Sequence, residues 1–276
     1  MYDINILTSN GIDVNSSLEL FGNIDTYNDT VGEFLISAKE KIVLLEDYKN
    51  KKDMSNYAIY AHSLKSDARY FGFKQLGEVA YQHELKSKEG DITFIINHFQ
   101  ELQAEVTKSL DVLEKYLNST GSGEQAPAAG TTTTQAAPAE NDLGVVYENK
   151  TILVVDDSNI VRNFVKRIFD GVYDIGVAKD GEEAINIINS NQNNDNIIAI
   201  LLDLNMPKKD GFAVLDFMQD NNLLGKCPVS IISGDSSKET IDRAFKYKIV
   251  DMISKPFSDS SIKSVVDKTI LFKEMD

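Results

Sequence analysis

The sequence contains a single cysteine, Cys227, so no internal disulfide can form. That cysteine opens an apolar run, Val229 to Ile232, where a packed thiol is expected rather than a nucleophile or a metal ligand. Proline is scarce as well, and none precedes Pro127, so nothing of that kind interrupts helices in the first half of the chain. No apolar stretch approaches the roughly 20 residues needed to span a bilayer, which excludes a helical membrane anchor. The opening MYDINILTSN lacks the basic start and apolar core of a signal peptide, so a cytoplasmic protein is expected. Basic residues are outnumbered: 28 Lys and Arg stand against 43 Asp and Glu, a formal charge of −15. That excludes nucleic acid as a partner, since a phosphate backbone demands clustered Lys and Arg. What remains is a chain of 276 residues, long enough for two ordinary domains.

Composition divides it. Residues 119–149 are rich in Ala, Thr, Pro and Gly, carry no Lys or Arg and show no apolar period, which predicts a flexible linker. Before it, over 1–118, apolar and charged residues recur at helical spacing. Helices are expected near 14–21, 25–48, 53–71, 74–88 and 91–118, with Asp53 and Asp91 as N-caps and Gly72 and Gly90 as stops. This half reads as an antiparallel helical bundle. After the linker, over 150–276, five strand-like runs alternate with five helical segments. Strands fall near 151–156, 173–178, 197–203, 228–233 and 249–254, and such alternation predicts a doubly wound parallel sheet. The fold class is therefore α + α/β.

In a parallel sheet the carboxyl ends of the strands share one edge. The first strand runs into Asp156 and Asp157, the third into Asp203, the fourth into Ser233, and the fifth delivers Lys255. Three carboxylates held together repel one another unless a cation sits among them. An oxygen-only acidic cluster beside an ammonium suits Mg²⁺ and a phosphoryl group. Singly, each residue has a plainer explanation as a helix cap, a turn residue or a solvated charge. Four strand ends yielding this set together do not.

The segment 150–276 resembles the receiver domain of two-component response regulators throughout its length. VVDDS, LLDLNMPKKDG, IISGD and ISKPF stand in that family's order and spacing. The resemblance implies a flavodoxin-like sheet of strand order 2-1-3-4-5, with Asp203 as the phosphoacceptor. It also implies Mg²⁺ ligated by Asp157, Asp203 and the backbone carbonyl of Asn205, with Asp156 acting through a water. Lys255 and Ser233 would hold phosphoryl oxygens, the Lys255-Pro256 bond would be cis, and Asn205 and Asp235 would tune hydrolysis of the acyl phosphate. Two positions depart from the family pattern: Met252 stands where an aromatic is usual, and Lys248-Ile249 replace a Gly-Ala pair before the last strand.

In the helical half, Tyr57, Ala61, Leu64, Ala68 and Phe71 form an apolar stripe at helical spacing. His62 lies about 100° from Ala61 around that helix and is expected to face solvent, with a small collar of Ala58, Ile59 and Ser66. His83, in a charged segment, is expected on a solvated face, and His98, amid INHF, in the core. The stretch AHSLKSDARYFG resembles the histidine phosphotransfer (HPt) motif: His62, Leu64, Lys65, Ala68 and Gly72 match, and Ser66 replaces the usual Gly. By that resemblance His62 carries phosphoryl and Lys65 meets it.

The two resemblances together imply a phosphorelay carrier without an ATP-binding kinase domain. Its expected partners are a sensor histidine kinase and other receiver or HPt proteins, and its output runs through protein contacts. His62 and Asp203 are expected mainly to serve different partners, with transfer between them as the lesser route. One rival is a phosphate sink or scaffold. Another is an aspartate-nucleophile phosphatase of the haloacid-dehalogenase type, but that chemistry needs an acid two residues after the nucleophile, where Asn205 stands.

Overall fold

The structure, a computed structural model, describes residues 2–119, 148–193 and 195–275. Most of the segment expected to be a linker, 120–147, lies outside the described residues. Six helices build the first half: α1 (Asn5–Ser9), α2 (Val14–Phe21), α3 (Ile24–Lys51), α4 (Met54–Tyr70), α5 (Lys74–Lys88) and α6 (Ile92–Leu117). Only the five-residue α1 has no counterpart in the sequence pattern; one turn carries too few residues to show a period. Asp53 and Asp91 cap α4 and α6, accepting from Asn56 N and Phe94 N, and Gly72 ends the α4 segment at φ 77°. A side chain at Gly72 would also strike the Asp13 carbonyl oxygen at 2.4 Å, so glycine is required there on both counts.

The stripe of Tyr57, Ala61, Leu64, Ala68 and Phe71 is fully buried, as its spacing predicts. Two histidines are exchanged relative to expectation. His83 is buried, its Nδ1 2.7 Å from the Tyr57 hydroxyl, because it falls on the same face of α5 as Leu76, Val79 and Ala80. His98 is exposed beside Glu101, because the α6 core face is set by Ile95, Phe99, Leu102 and Val106. Flanking charge and flanking apolar residues were the wrong guides; helical phase decides.

The second half alternates β1 (Thr151–Val155), α7 (Asn159–Ile168), β2 (Asp174–Ala178), α8 (Gly181–Asn191), β3 (Ile197–Leu202), α9 (Gly211–Asp220), β4 (Val229–Ser233), α10 (Lys238–Ala244), β5 (Asp251–Ser254) and α11 (Asp259–Met275). The five strands are parallel in the order β2-β1-β3-β4-β5. Strands β1, β3 and β4 are buried along their whole length, as expected where helices cover both faces of a sheet. Cys227 packs in that core. Among the described residues no helix is long and apolar enough to cross a membrane.

The halves are packed together. One apolar cluster runs from Leu7 and the bundle interior through Phe164 and Phe257 to Val266 on α11.

Candidate functional site

Backbone hydrogen bonds carried past the strand ends assemble the acidic edge. Asp156 N donates to Ala178 O at 3.0 Å, Asp203 N to Val155 O at 2.8 Å, and Lys255 N to Ser233 O at 2.7 Å. The residues after β1, β3 and β5 are thereby held side by side. Asp156, Asp157 and Asp203 each offer an oxygen within 4.8 Å of the others. The Lys255 ammonium lies 2.6 Å from Asp156 Oδ2 and 2.7 Å from Asp203 Oδ2. The Lys255-Pro256 bond is cis, as the resemblance implies.

Burial sets the electrostatics. Desolvation pushes the Asp156 carboxyl up to about 6, against the pull of Lys255 and with the repulsion of Asp203. Asp157 is raised for the same reason, opposed by the charge of Lys41 on α3. Burial alone would lower Lys255, but the three aspartates outweigh it and hold it well above the ordinary lysine value. Lys255 is paired with two of the three carboxylates, Lys41 acts on the third only through its charge, and the donors are all oxygen. That set matches what a hard divalent cation such as Mg²⁺ takes.

The remaining expected residues lie around this edge. Ser233, at the end of β4, is buried, and its hydroxyl accepts from Asp235 N at 3.1 Å. The Asn205 N–H donates to Asp203 Oδ1 at 3.2 Å, while its buried Nδ2 has no partner among the described residues. Asp235 caps the approach to α10, accepting from Ser237 N at 2.9 Å and Thr240 Oγ1 at 3.0 Å. Met252 sits half-buried at the edge of the second apolar cluster.

His62 does not face solvent. It is 2 % exposed, because the α/β half covers the face of α4 that the sequence leaves free. Its Nδ1 is 2.7 Å from Glu84 Oε1 on α5, which leaves Nε2 pointing away, buried and without a hydrogen-bond partner among the described residues. Lys65 is buried too, bonded to Glu84 Oε2 at 2.6 Å and 3.1 Å from His62 Nδ1. Lys88 reaches Glu84 Oε1 at 2.6 Å. Burial would raise the Glu84 carboxyl, but His62 and Lys65 outweigh it and hold it well below the ordinary value.

What Nε2 faces is Gly234, the residue after Ser233. A Cβ built on Gly234 would stand 2.6 Å from His62 Nε2, 2.8 Å from its Cε1 and 3.1 Å from Ser66 Oγ. A cleft of about 540 Å³ opens beside this contact, lined by Ala58, Ile59, His62, Lys88 and Asn205. The structure thus brings His62 to the edge that holds Asp203. Sequence reasoning did not single out Glu84. Glu84 follows His83 on α5 and could have been noticed as a carboxylate on a half-apolar helix face; nothing in the sequence pairs it with His62.

Comparison with known families places both halves. Residues 29–117 match the Hpt domain and residues 152–267 the response regulator receiver domain. The chain is thus an Hpt domain and a receiver domain joined in one polypeptide. The probable C4-dicarboxylate response regulator DctR of Bacillus subtilis is 29 % identical over 130 residues, 46 % of this chain and 54 % of that protein. Chemotaxis protein CheV1 of Helicobacter pylori is 31 % identical over 115 residues, 41 % of this chain and 36 % of its own length. Both relatives extend well beyond the part that is matched. Among solved structures, the receiver domain of the Francisella response regulator 1452 is 32 % identical, with a TM-score of 0.40, and covers 46 % of this chain and 100 % of its own.

Proposed function

We propose that this protein is a phosphorelay carrier in two-component signalling, accepting phosphoryl on His62 Nε2 and on an Asp203 carboxylate oxygen. The observation that carries the reading is the pairing of two complementary sites. A buried imidazole has Nδ1 tied to Glu84 and Nε2 free, and it stands against an acidic edge where Lys255 is bonded to Asp203.

With Nδ1 bonded to a carboxylate, the ring is fixed in orientation and Nε2 is the nitrogen left with its lone pair outward. Asp203 presents a carboxylate that attacks phosphorus in line with the leaving atom. Lys255 lies within reach of its oxygens and neutralises charge on the incoming group, and the Ser233 hydroxyl stands ready to donate to a phosphoryl oxygen. Little covalent work falls to the protein; positioning and charge neutralisation supply the acceleration. Asp157, Asp203 and the Asn205 carbonyl would hold Mg²⁺, with Asp156 reaching it through water. The ion would supply further neutralisation of the phosphoryl oxygens. Asn205, two residues past Asp203, replaces the acid a phosphatase of the aspartate-nucleophile type would need.

Partners follow from the same chemistry: a sensor histidine kinase, and other receiver or HPt proteins, act as donors and acceptors. The test is labelling of the full chain with acetyl phosphate and Mg²⁺. Wild type gains an acyl phosphate that Asp203→Asn lacks; undiminished base-labile label on the variant would overturn the assignment.

A further inference from the structure

The surface where the two halves meet is built from polar groups as well as apolar ones. Asp67 on α4 is fully buried and shared between them. Its Oδ2 accepts from Ser37 at 2.9 Å and pairs with Lys41, both on α3, while its Oδ1 accepts from the Ser158 hydroxyl at 2.8 Å. Ser158 is the N-cap of α7 in the other half. Along α7, Asn163 Nδ2 donates to Glu33 Oε2 at 2.9 Å, and Arg167 lies 3.8 Å from Glu33 Oε1. The rings of Phe164 and Phe257 pack on Tyr70, Phe164 also meets Phe21, and Phe257 N donates to the Tyr70 hydroxyl at 3.3 Å.

Gly234 gives this surface its meaning. Its backbone is not in the left-handed region, and the three atoms nearest an added Cβ all belong to His62 and Ser66 of the helical half. Among the described residues, and its two chain neighbours aside, no atom of its own half comes nearer than these. The ring that would be struck has no easy retreat, being buried and tied to Glu84. A side chain at residue 234 is therefore opposed by the docked helical half, not by the turn that carries it.

We propose that the HPt surface around His62 takes this chain's own receiver as its docking partner, so that phosphoryl passes between His62 and Asp203 within one molecule while docking withholds His62 from outside proteins. The proposal rests on the assignment of His62 and Asp203 as the two carriers. In the forward step the Nε2–P bond breaks and its electron pair returns to the imidazole, while an Asp203 Oδ–P bond forms. The reverse step regenerates the phosphoimidazole. An outside kinase or receiver must displace the resident one, so its access to His62 falls to the fraction of molecules that are open. The expectation that the two carriers mainly serve different partners is replaced by exchange between them.

The test uses the full chain with radiolabelled acetyl phosphate and Mg²⁺, following base-labile label on aspartate and base-stable label on histidine. In wild type, label reaches His62 at a first-order rate that is unchanged on about tenfold dilution, as an intramolecular step requires. Gly234→Ala labels Asp203 as wild type does but passes label to His62 at least about tenfold more slowly, its competent docked fraction being reduced. Asn163→Asp, which sets a carboxylate against Glu33 at a partly exposed position, behaves likewise and serves should the glycine variant fold poorly. A transfer rate that rises in proportion to protein concentration would overturn the proposal. So would label confined to Asp203 in wild type, or variants that transfer at the wild-type rate. If Asp203→Asn labels as wild type does, the carrier assignment itself falls.

Discussion

Replacing Glu84 by Gln removes one negative charge and almost no volume, so its effect reads out the buried charge cluster around His62. Glu84 and Lys65 are each about 3 % exposed, and the Lys65 ammonium sits 2.6 Å from Glu84 Oε2. A glutamine can still accept from His62 Nδ1 and from one ammonium, yet it leaves the Lys65 charge buried without a counterion. Breaking a buried pair from one side costs about 3–5 kcal/mol. Some relief comes from the Tyr81 ring, 5.6 Å from the ammonium, and from the reach of a lysine stem toward water. The Lys88 pair is half exposed and contributes little to the loss. The expected destabilisation is therefore about 3 kcal/mol, at the lower end of that range. Urea unfolding followed by circular dichroism measures it. The double variant Glu84→Gln with Lys65→Met recovers most of the loss, because the penalty resides in the stranded ammonium and not in missing contact area. A single-variant loss below about 1 kcal/mol, the range of exposed pairs, would refute the reasoning, as would a double variant worse than the single one.

Three more outcomes follow. The His83 imidazole is held down to about 4 by burial, so the unfolded chain binds its proton first as pH falls. Its contribution is thus fully present above about pH 6.5 and is lost between there and about pH 4, roughly 3 kcal/mol in all; melting against pH shows it, and His83→Gln flattens that slope. Asp157→Ala weakens Mg²⁺ binding far more than Asp156→Ala does, by roughly tenfold or more; equal affinities in a metal titration would contradict the direct-ligand role. Enlarging Asn205 and Asp235 together changes the lifetime of the acyl phosphate without preventing its formation, and an unchanged decay would remove both from the mechanism.

The α/β half was legible almost to the residue. Apolar runs such as Ile197–Leu202 have one outcome when helices cover both faces, and the charged residues that end them mark the strand termini. The acidic site followed because a parallel sheet collects those termini on one edge. The helical half was legible as helices and as a stripe, not as a surface. His62 lies off the core stripe of its own bundle, as the periodicity says, yet a helical wheel cannot show that another domain covers that face. The same blindness hid Asp67. A carboxylate between Ser66 and Ala68 reads as a solvated charge until Lys41 and Ser158 are seen to enclose it. His83 and His98 exchange places for a different reason: helical phase, not the charge or apolarity of the neighbouring residues, decides which side chain is buried.

The central claim is that His62 and Asp203 both carry phosphoryl, and phosphorus NMR of the full chain tests it most directly. With Mg²⁺ and acetyl phosphate the account predicts two protein-bound resonances, one of an acyl phosphate absent from Asp203→Asn and one of a phosphoimidazole absent from His62→Gln. A phosphoimidazole signal that persists in His62→Gln, or an acyl phosphate that persists in Asp203→Asn, would contradict it.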